Sequence, residues 1–225
     1  MTRPSLLGLA LLAGCMTTPP APTTSPGTPR FLALGDSYTI GEGVDVAERW
    51  PVQLAASLRA EGLDVMDPEI VATTGWTVAE LDAGIDAADP QGPYGLVTLL
   101  IGVNDQYRGG DVDDYRTAFR AMLARAVAFA GGEAGRVVVV SIPDWGVTPF
   151  AEGRDRARIA TTLDAFNAAA RAEATAASAR FVDVSAVSRE RGATDVVADG
   201  LHPSGALYAE WAALVLPEAR AAVEP

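Results

Sequence analysis

At 225 residues, about half of them hydrophobic, the chain has room for one domain with a short appendage, and a core of that size needs no covalent staple. A formal charge of −12, from 29 acidic against 17 basic residues, argues against a nucleic-acid partner and disfavours strongly anionic substrates unless a pocket carries local cations. One His and one Cys are too few for a zinc site or an internal disulfide, so no cofactor is expected, with a carboxylate-only Ca²⁺ or Mg²⁺ site the sole metal alternative.

The chain opens with Arg3 ahead of an apolar run of about nine residues that ends in small side chains, the layout of an export leader. The run is too short to span a bilayer as a helix, which takes roughly 20 apolar residues. Leu12-Ala13-Gly14-Cys15 resembles the lipobox of bacterial lipoproteins. The resemblance implies that residues 1–14 are removed and that Cys15 carries a diacylglyceryl thioether and usually a further acyl chain. It further implies an exported protein, lipid-anchored to the bacterial cell envelope. More than one chain matters, because each buried CH₂ contributes about 0.8 kcal/mol and a single chain anchors only marginally. An ordinary leader with an incidental Cys is the alternative. Residues 15–29 hold the Cys and a Pro/Thr-rich linker that extends at most ~3.1 Å per residue, and the domain proper is expected over residues 30–225.

Within that domain, apolar runs at 31–34, 70–72, 96–101, 137–142 and 181–184 predict five strands. They are continuous rather than alternating, as a parallel sheet covered on both faces requires. Helical stripes lie between them: Trp50, Leu54 and Leu58, with Pro51 near the start and Gly62 near the end; Tyr115, Phe119, Met122, Ala126 and Phe129; Ile159, Leu163, Phe166 and Ala170; and Leu207, Trp211, Leu214 and Val215. The alternation predicts a three-layer α/β/α sandwich with a mainly parallel five-stranded sheet. In such sheets ligands bind beyond the carboxyl ends of the strands, so a real site should draw on residues just after strands.

Four polar or glycine-bearing turns meet that condition: Leu34-Gly35-Asp36-Ser37-Tyr38, Thr73-Thr74-Gly75-Trp76, Gly102-Val103-Asn104-Asp105 and Asp199-Gly200-Leu201-His202-Pro203. Ser37 needs a base within hydrogen-bond reach to become a nucleophile, and only His202 supplies an imidazole. Asp199, three residues earlier, is close enough to fold back and fix the ring's tautomer, while Pro203 restricts His202 to extended backbone. In order and spacing the four segments resemble the four blocks of the SGNH, or GDSL, hydrolases, and the likeness runs over nearly the whole domain. The resemblance implies a flavodoxin-like sheet and a serine esterase with a Ser37–His202–Asp199 triad. It also implies an oxyanion hole built from the backbone N–H groups of Ser37 and Gly75 and the side-chain amide of Asn104. The order of the blocks and the lack of a Gly-x-Ser-x-Gly elbow disfavour an α/β-hydrolase.

Blander readings exist for each residue. Ser37 could cap a helix, and Gly75 and Asn104 could be turn residues. Asp36 and Asp105 read as turn and supporting residues, and Asp111 as a helix N-cap with Asp114 in the first turn rather than a calcium loop. Trp76, Tyr107 and Trp145 follow strand ends and either line a pocket or pack in the core. The expected substrate is a small acyl ester, a lipid ester or an O-acetylated carbohydrate, turned over by a monomer. The alternatives are a non-catalytic surface lipoprotein that binds a glycan or partner on the same fold, and a phosphate-binding turn at Gly35-Asp36-Ser37.

Overall fold

The computed structural model describes residue 1 and residues 27–224. The expected leader, Cys15 and the linker as far as residue 26 lie outside the described residues. Five strands form one all-parallel sheet: β1 (Phe31–Gly35), β2 (Glu69–Ala72), β3 (Leu96–Leu100), β4 (Val137–Val140) and β5 (Arg180–Val182). Their order across the sheet is β2-β1-β3-β4-β5. β1, β3 and β4 are buried along their whole length, which is why their sequences lack alternation. Each fully buried Val or Leu side chain there stabilises the fold by roughly 1.5–3 kcal/mol relative to exposure.

Eight α-helices are described: α1 (Ser37–Ile40), α2 (Trp50–Ala60), α3 (Val78–Ala88), α4 (Val103–Tyr107), α5 (Val112–Phe129), α6 (Arg156–Ala176), α7 (Ser185–Arg191) and α8 (Gly205–Val223). Right-handed crossovers decide which face each covers. The chain steps one way from β1 to β2 and then reverses through β3, β4 and β5. That places α2 on one face, where it packs on α8, and places α3, α5 and α6 on the other. α5 and α6 are tied by Glu173, which accepts from Arg116 Nε at 2.5 Å and Arg120 Nε at 2.7 Å. Among the described residues no helix is long and apolar enough to cross a membrane.

The reversal of strand order makes a crevice at the carboxyl ends of β1 and β3. Register sets its geometry: Gly35 is level with Ala72 of β2 and Leu100 of β3. Ser37, Gly75 and Asn104 therefore lie two, three and four residues past one common line. α1 turns back tightly, and a Cβ on Gly35 would sit 2.1 Å from Thr39 Oγ1 and 2.5 Å from the Leu100 carbonyl, so only glycine fits.

Candidate active site

Asp36, not Ser37, caps α1: its Oδ1 accepts from the Tyr38 N–H at 3.0 Å. Ser37 is thus freed of the capping duty and sits in the first turn with its Oγ 2.9 Å from His202 Nε2. His202 Nδ1 lies 2.6 Å from Asp199 Oδ2. A carboxylate can only accept, so the proton resides on Nδ1 and Nε2 is left bare toward the hydroxyl. Asp199 Oδ1 accepts from the N–H groups of Leu201 and His202 at 2.8 and 3.0 Å, which closes the local turn. Burial pushes the Asp199 carboxyl up, but the hydrogen bonds from the His202 ring and backbone and from Leu201 outweigh it and hold it below the usual carboxylate range.

The loop carrying this pair is braced at its base. Val197 N–H donates to the His202 carbonyl at 2.8 Å, Ser204 N–H to Asp195 at 2.9 Å, and Val196 pairs with Pro203 in an antiparallel bridge. Pro203 itself does not open the next helix; Ser204 does, capping α8 through its hydroxyl. Behind the imidazole stands Tyr38, with ring centroids 5.1 Å apart, and Tyr38 rests in turn on Trp211 of α8 at 6.0 Å. The imidazole is held by packing on one side and by the carboxylate on the other.

The proposed donors converge on the same spot. Neither the Ser37 nor the Gly75 backbone N–H has an acceptor among the described residues. Gly75 has φ +87°, a left-handed conformation that L side chains rarely adopt, and a Cβ there would meet nothing closer than Arg108 at 3.9 Å. Conformation, more than crowding, demands this glycine. Asn104 Nδ2 donates one hydrogen to the Trp76 carbonyl at 2.9 Å, which fixes the amide's orientation. Its other hydrogen has only Asp36 Oδ2, at 3.5 Å, the outer limit of a hydrogen bond.

α4 clamps the Gly75 loop at two further points. Arg108, just past the helix, donates to the Gly75 carbonyl at 2.7 Å, and Asp105 accepts from the Val78 N–H at 3.1 Å. Asp36 is fully buried, and burial pushes its carboxyl up to about 8 despite the bond from Tyr38. The sequence reading assigned Asp36 and Asp105 no more than supporting places, and missed Arg108.

Ser37, Gly75, Asn104 and His202 line one cavity of about 150 Å³, with Asp199 standing behind His202. Tyr38, Tyr107, Trp145, Phe150 and Leu201 are among its other walls. Trp76 does not line it: its ring covers Gly84 of α3, where an added Cβ would lie 2.1 Å from a ring carbon. Leu201 belongs to the fourth of the sequence blocks, whereas Phe150, on a single turn of 3-10 helix (Pro149–Ala151), carried no sequence signal. Asp111 caps α5 through its side chain, with Asp114 in the first turn. Among the described residues no group of three or more His, Cys, Asp or Glu side chains is placed to hold a metal ion.

The model of the GDSL-like lipase/acylhydrolase family matches residues 33–210. No curated protein matches the sequence. Solved structures with the same fold include a lipase/acylhydrolase from Enterococcus faecalis, 22% identical, with a TM-score of 0.65 over 88% of this chain and 98% of that one. The acetylxylan esterase Axe2 from Geobacillus stearothermophilus is 21% identical, with a TM-score of 0.61 over 85% and 94%. The psychrotrophic esterase EstA from a Pseudoalteromonas species, in a structure inhibited by monoethylphosphonate, is 20% identical, with a TM-score of 0.57 over 84% and 93%.

Proposed function

The chain belongs to the GDSL-like lipase/acylhydrolase family, and on that premise we propose that it hydrolyses short-chain carboxylic esters through an acyl-enzyme on Ser37. The observation that carries this reading is the unbroken line from Ser37 Oγ to His202 Nε2 at 2.9 Å and from His202 Nδ1 to Asp199 at 2.6 Å. His202 Nε2 takes the hydroxyl proton as Oγ attacks the acyl carbon. The carbonyl oxygen becomes an oxyanion facing the Ser37 and Gly75 N–H groups and the spare hydrogen of Asn104. The imidazolium, steadied by Asp199, then passes its proton to the departing alcohol. Water repeats the sequence on the acyl-enzyme, releasing the acid and restoring Ser37.

The cavity favours a small acyl group. Its volume of about 150 Å³ is below the ~300–1,000 Å³ of pockets that enclose drug-sized ligands, and Tyr38, Tyr107, Trp145 and Phe150 border it. Acetyl esters, including O-acetylated carbohydrate, suit that space, and a neighbour of the same fold is an acetylxylan esterase. Inhibition of another neighbour by a phosphonate supports an activated serine on this scaffold. Export and lipid anchoring through Cys15 belong to the same proposal; they would place the enzyme on the envelope, among acylated polysaccharides and lipids. Ser37→Ala should reduce turnover of 4-nitrophenyl acetate to below a few per cent while leaving Tm nearly unchanged. Retained turnover in a clean preparation would remove Ser37 from the mechanism.

A further inference from the structure

Tyr107 and Trp145 form a wall with a cavity on each side. One side is the reaction cavity. The other is a chamber of about 320 Å³, to which Arg154, Arg158 and Thr162 also contribute. The wall is an aromatic cluster: Tyr107 and Trp145 meet edge to face with centroids 5.3 Å apart, and Phe150 lies 6.1 and 6.2 Å from them. Trp145 is held in place by its indole N–H, which donates to Gln106 Oε1 at 2.8 Å, while Gln106 Nε2 donates to Thr162 at 2.7 Å.

Over this cluster lies the Arg154 guanidinium, 5.2, 5.4 and 5.0 Å from the Tyr107, Trp145 and Phe150 centroids. Its hydrogen bond is to the Tyr107 hydroxyl at 3.2 Å. Arg158 has no side-chain hydrogen bond or ion pair among the described residues. The one carboxylate at the chamber, Asp155, accepts from the Arg158 backbone N–H at 3.0 Å, as the cap of α6. Elsewhere arginines such as Arg116, Arg120, Arg180 and Arg189 are bonded to carboxylates. Arg49, Arg136 and Arg156 also have no ion pair among the described residues, but Arg154 and Arg158 are two such guanidinium groups at one chamber, whose carboxylate Asp155 is engaged with backbone. Aromatic faces orient a guanidinium without neutralising it.

We propose that this second chamber is an anion subsite, in which Arg154 and Arg158 take a carboxylate or phosphate carried by the ester while its acyl carbon sits at Ser37. The proposal rests on the Ser37 reading for the word ester, but not for the binding of the anion. Guanidinium forks suit both oxyacid groups. The charge of the whole molecule repels an anion at a distance, but over a Debye length of about 8–10 Å two local cations outweigh distant carboxylates. The substrate class is thus an ester with a negative group on one side of the scissile bond, as in an acidic acylated saccharide or the half-ester of a dicarboxylic acid.

The test compares matched ester pairs on the native full chain, on Arg154→Ala/Arg158→Ala and on Arg154→Lys/Arg158→Lys. 4-Nitrophenyl hydrogen adipate against 4-nitrophenyl hexanoate places the charge on the acyl side; 4-acetoxybenzoate against 4-acetoxybenzamide places it on the leaving side. For one pair, the ratio of kcat/KM for the anionic ester to that for the neutral one should fall about tenfold in the alanine variant. It should fall less in the lysine variant, which keeps the charge but loses the fork, and should shrink with added NaCl in the native protein. The responding pair identifies the charged end. Calorimetry with adipate supplies a readout independent of turnover: native protein should bind it about tenfold more tightly than the alanine variant. Equal adipate binding together with unchanged ratios for both pairs would overturn the subsite. Tighter native binding without ester turnover would leave the subsite standing and remove the hydrolase reading.

Discussion

Ser37 is reactive in this account only because two neighbouring residues are arranged around a single imidazole. His202 is the one His in the chain, so the acid limb of kcat/KM cannot come from a second imidazole. Asp199→Asn should keep the fold, lower kcat by about 10³–10⁴, and displace that limb, because an amide permits the wrong tautomer and does not steady the imidazolium. A pH–rate profile beside an NMR titration of the lone imidazole checks this; near-native turnover by the variant would remove Asp199 from its role. Asp36 couples folding to pH independently of the imidazole. Its carboxyl is pushed up to about 8 by burial, so the folded state holds a proton that the unfolded chain releases near 3.8. Its contribution is whole below the lower value and is lost as pH rises through about 8. Asp36→Asn caps the same N–H without ionising. Thermal melts should show the native Tm dropping more between pH 6 and pH 9 than the variant's, and parallel declines would contradict the burial argument.

At the scale of elements, α4 both supplies Asn104 and holds the Gly75 loop, through the Arg108, Asn104 and Asp105 contacts. Arg108→Ala frees the Gly75 carbonyl and lets its N–H swing, so kcat should fall about tenfold with KM little changed, and Arg108→Lys should recover part of the loss. A rise in KM alone would point to substrate contact instead. The strands were legible because each is a short apolar run, and four helices because their stripes repeat at helical spacing. α3 was overlooked although Val78, Leu81 and Ile85 share a face and Thr77 and Glu80 form a capping box, a signal open to sequence reading. α1 and α4 are too short for periodicity to register. Two details departed from the pattern: Leu214, placed in the α8 stripe, is exposed, and α8 runs on through Pro217. β5 stops at Val182, short of the apolar run, because Asp183 turns its carboxylate to the Ser185 N–H and Ser141 Oγ takes the Val184 N–H. The four turns that meet around the cavity were legible because they follow strand ends with polar residues. The aromatic wall was only half legible, because Trp145, Phe150 and Arg154 come from one irregular segment without helical or strand periodicity and meet Tyr107 only through tertiary packing.

For the whole molecule, the carboxyl ends of the interior strands β1 and β3 carry the site, on a chain whose formal charge is −12. On the lipobox reading, Cys15 holds the whole molecule to a membrane. Cys15→Ser should move the protein from the membrane fraction to the soluble one and abolish palmitate labelling, whereas a variant that stays membrane-bound would refute the anchor. Whether Ser37 is an activated nucleophile is read out by fluorophosphonate labelling followed by peptide mass spectrometry. The native chain should gain a single adduct on the peptide containing Ser37, at a rate that falls as His202 protonates, and Ser37→Ala should gain none. An unlabelled native chain, or an adduct that persists in Ser37→Ala, would contradict the account.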